Sequence, residues 1–524
     1  MLIRIQSTRV AAKDWFMPRV ALTLTVFALF LTALVGTAGS AAATGPSPGR
    51  EPSDPDTLLL QEMRTAGKER RWADAESLAV AIGAKWRPTA SSADSLILAE
   101  MLETRARARL EQGRWREPGT MDLAGLALAL RRRHSSREDL GVAGAAHTLG
   151  RLLRRAGHYE EAREHLRMTV RILEAELGTN HPETAKAWGN LGVVLNDLGD
   201  VEAGLDAYHR TLAIFERLQG PEGEEVAGGL YNIALALEAQ GEPAAALPYA
   251  ERLLAVRQKR HGADGILTAE ALHLMAMLLY AMGDYEEAEP LSRRALRIRE
   301  DSLSADATSL GHSVTMLANI LRARGDRAGA RPLYERALAI DEAAVGRDHP
   351  RVLVSLINLG ALRLIDGDLR AADEIFRRGL AIAEKSLGAL HPRVAMVLSQ
   401  LGTVARESGR VEEAMGFYRR ALAIREETLG PDHPDVAGTL YSMALLLERM
   451  DRRTEAIASA LRAEEIGRRH LRLTMQGLPE RQAMRYSDVR VKGLDLALEI
   501  LAREESLTEA YGPREELARR VWDS

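Results

Sequence analysis

The amino-acid sequence predicts an all-α solenoid of antiparallel helix hairpins, and three observations carry that prediction. Glycines recur every 42 residues, at Gly157, Gly199, Gly241, Gly283, Gly325, Gly367 and Gly409, with Asp451 in the eighth place. Five residues after each stands a small residue: Ala162, Gly204, Ala246, Ala288, Ala330, Ala372, Ala414 and Ala456. Each period also holds two stretches with apolar side chains at helical spacing, as at 181–198 and 201–218, with the glycine between them. Glycine adopts left-handed turn angles at little cost, and the small residue lets the two helices approach. A period of this length also removes the usual link between a 524-residue length and three or four globular domains.

Taken in order, residues 1–43 read as an export segment. Arg4, Arg9, Lys13 and Arg19 precede an uncharged apolar run, Val20 to Val35, and then small residues that end in an A-x-A pattern at Ala43. Basic, apolar and small segments in that order make a secretory signal peptide, and the run is short of the roughly 20 residues that span a bilayer. The expectation is an exported protein, periplasmic or extracellular, with an uncleaved N-terminal membrane anchor as the alternative. Residues 44–56, rich in Pro, Gly and Ser, read as a flexible linker. Residues 57–136 read as two degenerate helical hairpins, with Gly113-Arg114-Trp115 in the turn of the second. Terminal repeats of an array are atypical because they cap an open end.

The regular array is expected over 137–470. His-Pro recurs in register at 181–182, 349–350, 391–392 and 433–434. Proline has its backbone angle preset for a first helical turn and loses no needed donor there, so the pair reads as helix-start punctuation rather than metal ligation. Beyond it, residues 471–524 read as a C-terminal helical connector or cap.

Leu191-Gly192, Gly199, the small residue at 204, Tyr208 and the Ala-Leu-Ala-Ile ending at 337–340 and 421–424 resemble the tetratricopeptide repeat in order and spacing. The aromatic place recurs as Tyr334, Phe376 and Tyr418. The usual period of that family is about 34 residues, and the extra length, with LGPDHPDVA at 429–437, resembles the kinesin-light-chain type. The resemblance implies a right-handed superhelix of about eight clear and two degenerate hairpins. It also implies a concave face lined by first helices. Residues 471–502 resemble the connector that follows such arrays in bacterial CHAT-domain proteins, where a caspase-like peptidase lies further on. A regulatory arm of a peptidase system is therefore the alternative expectation.

The chain contains no cysteine, which excludes disulfides, Cys-ligated zinc, iron–sulfur clusters and a cysteine nucleophile within it. Seventy Lys and Arg against 74 Asp and Glu give a net charge of −4, too balanced for a broad nucleic-acid footprint. Phosphate-cradling, dinucleotide and nucleophile-elbow motifs are absent. Glu160-Glu161, Glu286-Glu287 and Glu412-Glu413 recur in one place of the period, the first turn of second helices, where negative charge complements the helix dipole. No enzyme activity, cofactor or metal is expected. The remaining candidate is the groove. Asn190, Asn232, Asn358 and Gln400 share one register, continued by Ser442, and Lys186 lies one helical turn before Asn190. In the family these positions resemble those whose amides hydrogen-bond a bound peptide backbone, since an amide offers both donor and acceptor. The competing expectation is that the amides bridge adjacent repeats. Leu274 and Met316 interrupt the register and are expected to form an apolar pocket for a ligand side chain. The function expected is a non-catalytic scaffold for a protein or peptide segment.

Overall fold

The computed structural model describes residues 55–85, 91–136, 138–302, 307–475 and 493–502. The described residues form helices in ten consecutive pairs, followed by one further helix, Gly493–Ala502. Residues 1–43 and most of the linker lie outside them, as does most of the connector after residue 475. Two compact units are formed, residues 1–87 and 88–524. In the first, Pro55–Lys68 turns at Arg70 into Trp72–Lys85, with Met63, Ala66, Ala75 and Ile82 buried.

The second unit begins with the Ser92–Glu111/Thr120–His134 pair and runs through eight regular hairpins. Their turns follow from the glycine series. Gly199 has a φ of 80°; its N–H donates to Asn196, and the N–H of Asp200 donates back to Leu195, both at 2.9 Å. This closes off the orphan carbonyls of the helix end. Asp451, without a glycine's freedom, takes the same turn at a φ of 60°. Three of the four His-Pro pairs start helices as expected, at 181–182, 391–392 and 433–434, whereas after His349-Pro350 the helix begins at Val352. The Nδ1 atoms of His181, His391 and His433 accept from the backbone N–H two residues on, at 3.1–3.2 Å.

In three hairpins the Leu-Gly position and the aromatic position interlock. A Cβ at Gly402 would lie 2.6 Å from the ring of Tyr418; at Gly192 and Gly360 the same atom would lie 2.7 Å from Tyr208 and Phe376. Where the second position is small, as at Ala250 and Ala460, the first is Ala234 and Ala444. Both faces therefore keep core density by exchanging volume.

Between hairpins, a second periodic device appears. Arg252, Arg336, Arg378, Arg420 and Arg462 pair with Glu216, Glu300, Glu342, Glu384 and Glu426 of the preceding second helix, at 2.5–2.6 Å. The ladder breaks at Arg294, where the acceptor's place holds Gln258; Arg294 keeps the bond to a loop carbonyl, Ala263 at 2.7 Å, that Arg252 and Arg378 make beside their glutamates. At the end of the array, Gly493–Ala502 buries Leu496, Ala497 and Ile500 in one cluster with Ile457 and Ala460 of the last hairpin. Its Leu494 N–H donates to the buried carboxylate of Glu464 at 3.3 Å.

Candidate functional site

First helices of neighbouring hairpins touch one another directly, while each second helix packs on its own hairpin and the next first helix. Their buried stripe faces the second helices, as in Pro182–Asp197, where Thr184, Ala187, Leu191 and Val194 are buried. Residues at the registers of Lys186, Gly189, Asn190 and Val193 are left on the open side, mostly half-buried. That open side is the candidate site.

The Asn190 amide is already engaged. It donates to the carbonyl of Lys186 at 3.0 Å and reaches Nε2 of His147, on the preceding first helix, at 2.8 Å. With the amide as donor, Nε2 is the acceptor and His147 carries its proton on Nδ1. Burial, and then the charges of Arg151, Arg107 and Lys186, pull the pKa of His147 down to about 3. Its imidazole is thus neutral and fixed, and Asn190 bridges adjacent repeats. Lys186 pairs with Glu183 on its own helix at 2.6 Å.

Asn232, Asn358 and Gln400 are half-buried on the same open side, one per hairpin. Ser442 folds back onto the carbonyl of Gly438 at 3.0 Å. Leu274 corrects the expectation of an apolar pocket. It is 2% exposed and belongs to the core cluster of Leu230, Ile233 and Leu253, because an aliphatic side chain at that register gains more by turning into the core. Met316 remains half-buried at the surface. Of the repeated glutamates, Glu160 pairs with Arg163, and Glu413 with Arg377 and Arg410 at 2.5 and 2.6 Å.

Residues one place before the amide register were missed in the sequence. His147 is one. His273 is another: it sits within a mostly apolar helix, its Nδ1 buried without a partner, and burial, with Arg299 and His312, lowers its pKa to about 3. Ser399, three periods after His273, also has a buried hydroxyl without a partner. A histidine recurring at one place of the period was the signal available. Among the described residues no group of three or more His, Asp or Glu is placed to hold a metal ion. None of the helices searched there is long and apolar enough to cross a membrane.

Stacked hairpins of this register define an all-α helical-repeat protein whose first helices present one continuous face. A sequence model of the tetratricopeptide repeat matches residues 141–217, 183–259, 225–301, 311–385 and 393–469, and the chain belongs to the tetratricopeptide repeat family. No curated protein matches it. Among solved structures, it is similar to the apo form of the quorum sensor NprR from B. thuringiensis. That likeness has a TM-score of 0.53 at 14% identity, over 70% of this chain and 97% of that one. The apo form of RapI gives a TM-score of 0.52 at 14% identity, over 71% and 98%. TPR-like repeats of a Podosopora anserina kinesin light chain match at 20% identity and a TM-score of 0.36, over 40% and 98%. At these identities the likeness is one of fold. The resemblance of residues 471–502 to a CHAT-protein connector finds no support in these matches.

Proposed function

We propose that this chain is a non-catalytic scaffold that binds a segment of a partner protein along its first-helix face. The observation that carries the reading is the run of half-buried amides at Asn232, Asn358 and Gln400, each on its own first helix and all on the open side. Amides in register suit an extended or helical segment, since each can both donate to and accept from a backbone. Asn190 contributes by fixing the first two regular hairpins to each other rather than by direct contact.

Selection from a random-peptide display library tests this. Peptides retained by the full chain should be lost from the Asn232→Ala/Asn358→Ala/Gln400→Ala variant while its helical circular dichroism is unchanged. Undiminished retention would sink the assignment. We further propose that the chain is exported. The order of basic, apolar and small residues in 1–43 supports this. N-terminal sequencing of the secreted protein should then read from Thr44; recovery of intact Met1 in a membrane fraction would favour an anchor.

A further inference from the structure

In a chain with 27% charged residues, four registers on the open side of five successive first helices hold a single formal charge. At the registers of Gly189, Asn190 and Val193, the helices from Glu224–Ala239 to Pro392–Glu407 carry Tyr231 and Asn232, His273 and Met277, Thr315 and Met316, Ile357 and Asn358, Ser399 and Gln400, with Leu235, Asn319, Ala361 and Thr403. At the register of Lys186, Glu270 is the one formal charge among Gly228, Glu270, His312, Val354 and Met396. Upstream the character changes. At the same registers Arg151 and Lys186 stand on the first two regular hairpins, paired with Glu111 and Glu183.

Three of the nine exposed large apolar side chains among the described residues stand on these helices. Val354 is 47% exposed, Ile365 45% and Met396 42%. Val354, Ile357, Ala361 and Ile365 follow one another at three or four residues and so form one stripe. Two of the unpartnered polar atoms of the first helices, His273 Nδ1 and Ser399 Oγ, lie at one register within this stretch. The amide that serves His147 comes from Asn190; the residue in that relation to His273 is Met316, whose thioether is a poor partner.

We propose that the face from Tyr231 to Met396 docks an uncharged, aliphatic-rich segment of a partner protein, whose backbone amides satisfy His273 and Ser399. This rests on the binding role proposed above and names the chemistry of its ligand. A charged segment laid here would lose water without meeting an opposite charge, whereas aliphatic side chains gain by covering Val354, Ile365 and Met396. Orphaned polar atoms in the same stretch account for specificity, since a buried group left unpaired is costly until a ligand supplies its partner.

The test uses the full chain and three pools of fluorescein-labelled synthetic peptides of equal length and aliphatic content. Their intervening residues are Asn, Ser and Thr in the first pool, Glu in the second and Lys in the third. Anisotropy titrations at about 50 and about 500 mM salt separate charge-driven from apolar binding. The neutral pool should bind about tenfold tighter than either charged pool and shift less than about twofold with salt. Val354→Ser/Met396→Ser should weaken it about tenfold, and Arg155→Ala should leave it unchanged. Preference for a charged pool, with loss in the Asn232/Asn358/Gln400 variant, would overturn the neutral partner and keep the binding face. Binding indifferent to every substitution on the face would overturn both. Binding by no pool overturns the proposal, as does a concentration-dependent dimer abolished by Val354→Ser/Met396→Ser, which would make a second copy the occupant.

Discussion

A glycine that is not in a turn does much of the packing here. At Gly402 the space a methyl would take is filled by the ring of Tyr418, and Tyr418 in turn is held by Thr403 at 3.1 Å. Gly402→Ala should therefore cost about 1–3 kcal/mol by overpacking, read as a lower urea midpoint. In Tyr418→Ala the ring is gone and the same methyl should cost far less, so the two changes should fall well short of additivity. Additive losses would mean the methyl is accommodated by backbone movement instead. His147 and His273 make a second case. Burial holds each at a folded pKa of about 3, helped by the charges of Arg151, Arg107 and Lys186 at His147 and of Arg299 and His312 at His273. An unfolded histidine titrates near 6.5, so between about pH 6.5 and 3 the unfolded chain holds more protons and stability falls as pH falls. From pH 6.5 to 5 the loss is about 2 kcal/mol per histidine. His147→Gln/His273→Gln should flatten that slope in urea unfolding at several pH values; an unchanged slope would show that both rings take up protons in the fold.

The helices were legible because their signals are local. A turn glycine, a small residue five places on and a proline near a helix start each act within one period, so a single sequence shows the glycine seven times, the small residue eight and the His-Pro pair four. The arginine ladder is as periodic as the glycines, yet Arg336 and Glu300 lie 36 residues apart and mean nothing to each other until hairpins stack. For the same reason Asn190 read as an open groove residue. Its partner His147 is 43 residues away, and only stacking shows the amide to be spent. Leu274 failed as a pocket residue because register alone does not say which way an aliphatic side chain turns. The break in the ladder makes the stacking argument testable. Gln258→Glu places a carboxylate where Glu216, Glu300, Glu342, Glu384 and Glu426 stand, in reach of Arg294 by register. Exposed pairs contribute about 0.2–1 kcal/mol, so the gain should be small, and it should fade in high salt. The readout is the midpoint of unfolding in low against high salt, and a gain that survives high salt would have another origin.

Among the described residues each hairpin of the array packs on its immediate neighbours, and its core divides accordingly. One cluster runs from Ala106 to Ala207, and another joins Ala405 and Tyr418 to Ile457 and the closing helix at Ile500. In such an array stability is close to a sum of hairpin terms and neighbour interfaces, so a local loss is felt locally. A face spread over five hairpins can then tolerate weakness in one of them, provided its neighbours hold their positions. Gly402→Ala serves as the probe. Amide hydrogen exchange should speed up in the Pro392–Glu407/Val411–Leu429 hairpin most, in the hairpins on either side less, and in Leu140–Arg155/Tyr159–Leu177 not at all. The gradient follows from interface coupling: the altered hairpin opens more often, its neighbours each lose one interface when it does, and the distant pair loses none. If exchange accelerates equally from Leu140 to Arg469, the array opens as one cooperative unit and the neighbour-only account of its stability fails. The same outcome would make the face all-or-none, so that a change at any hairpin would weaken binding at every other.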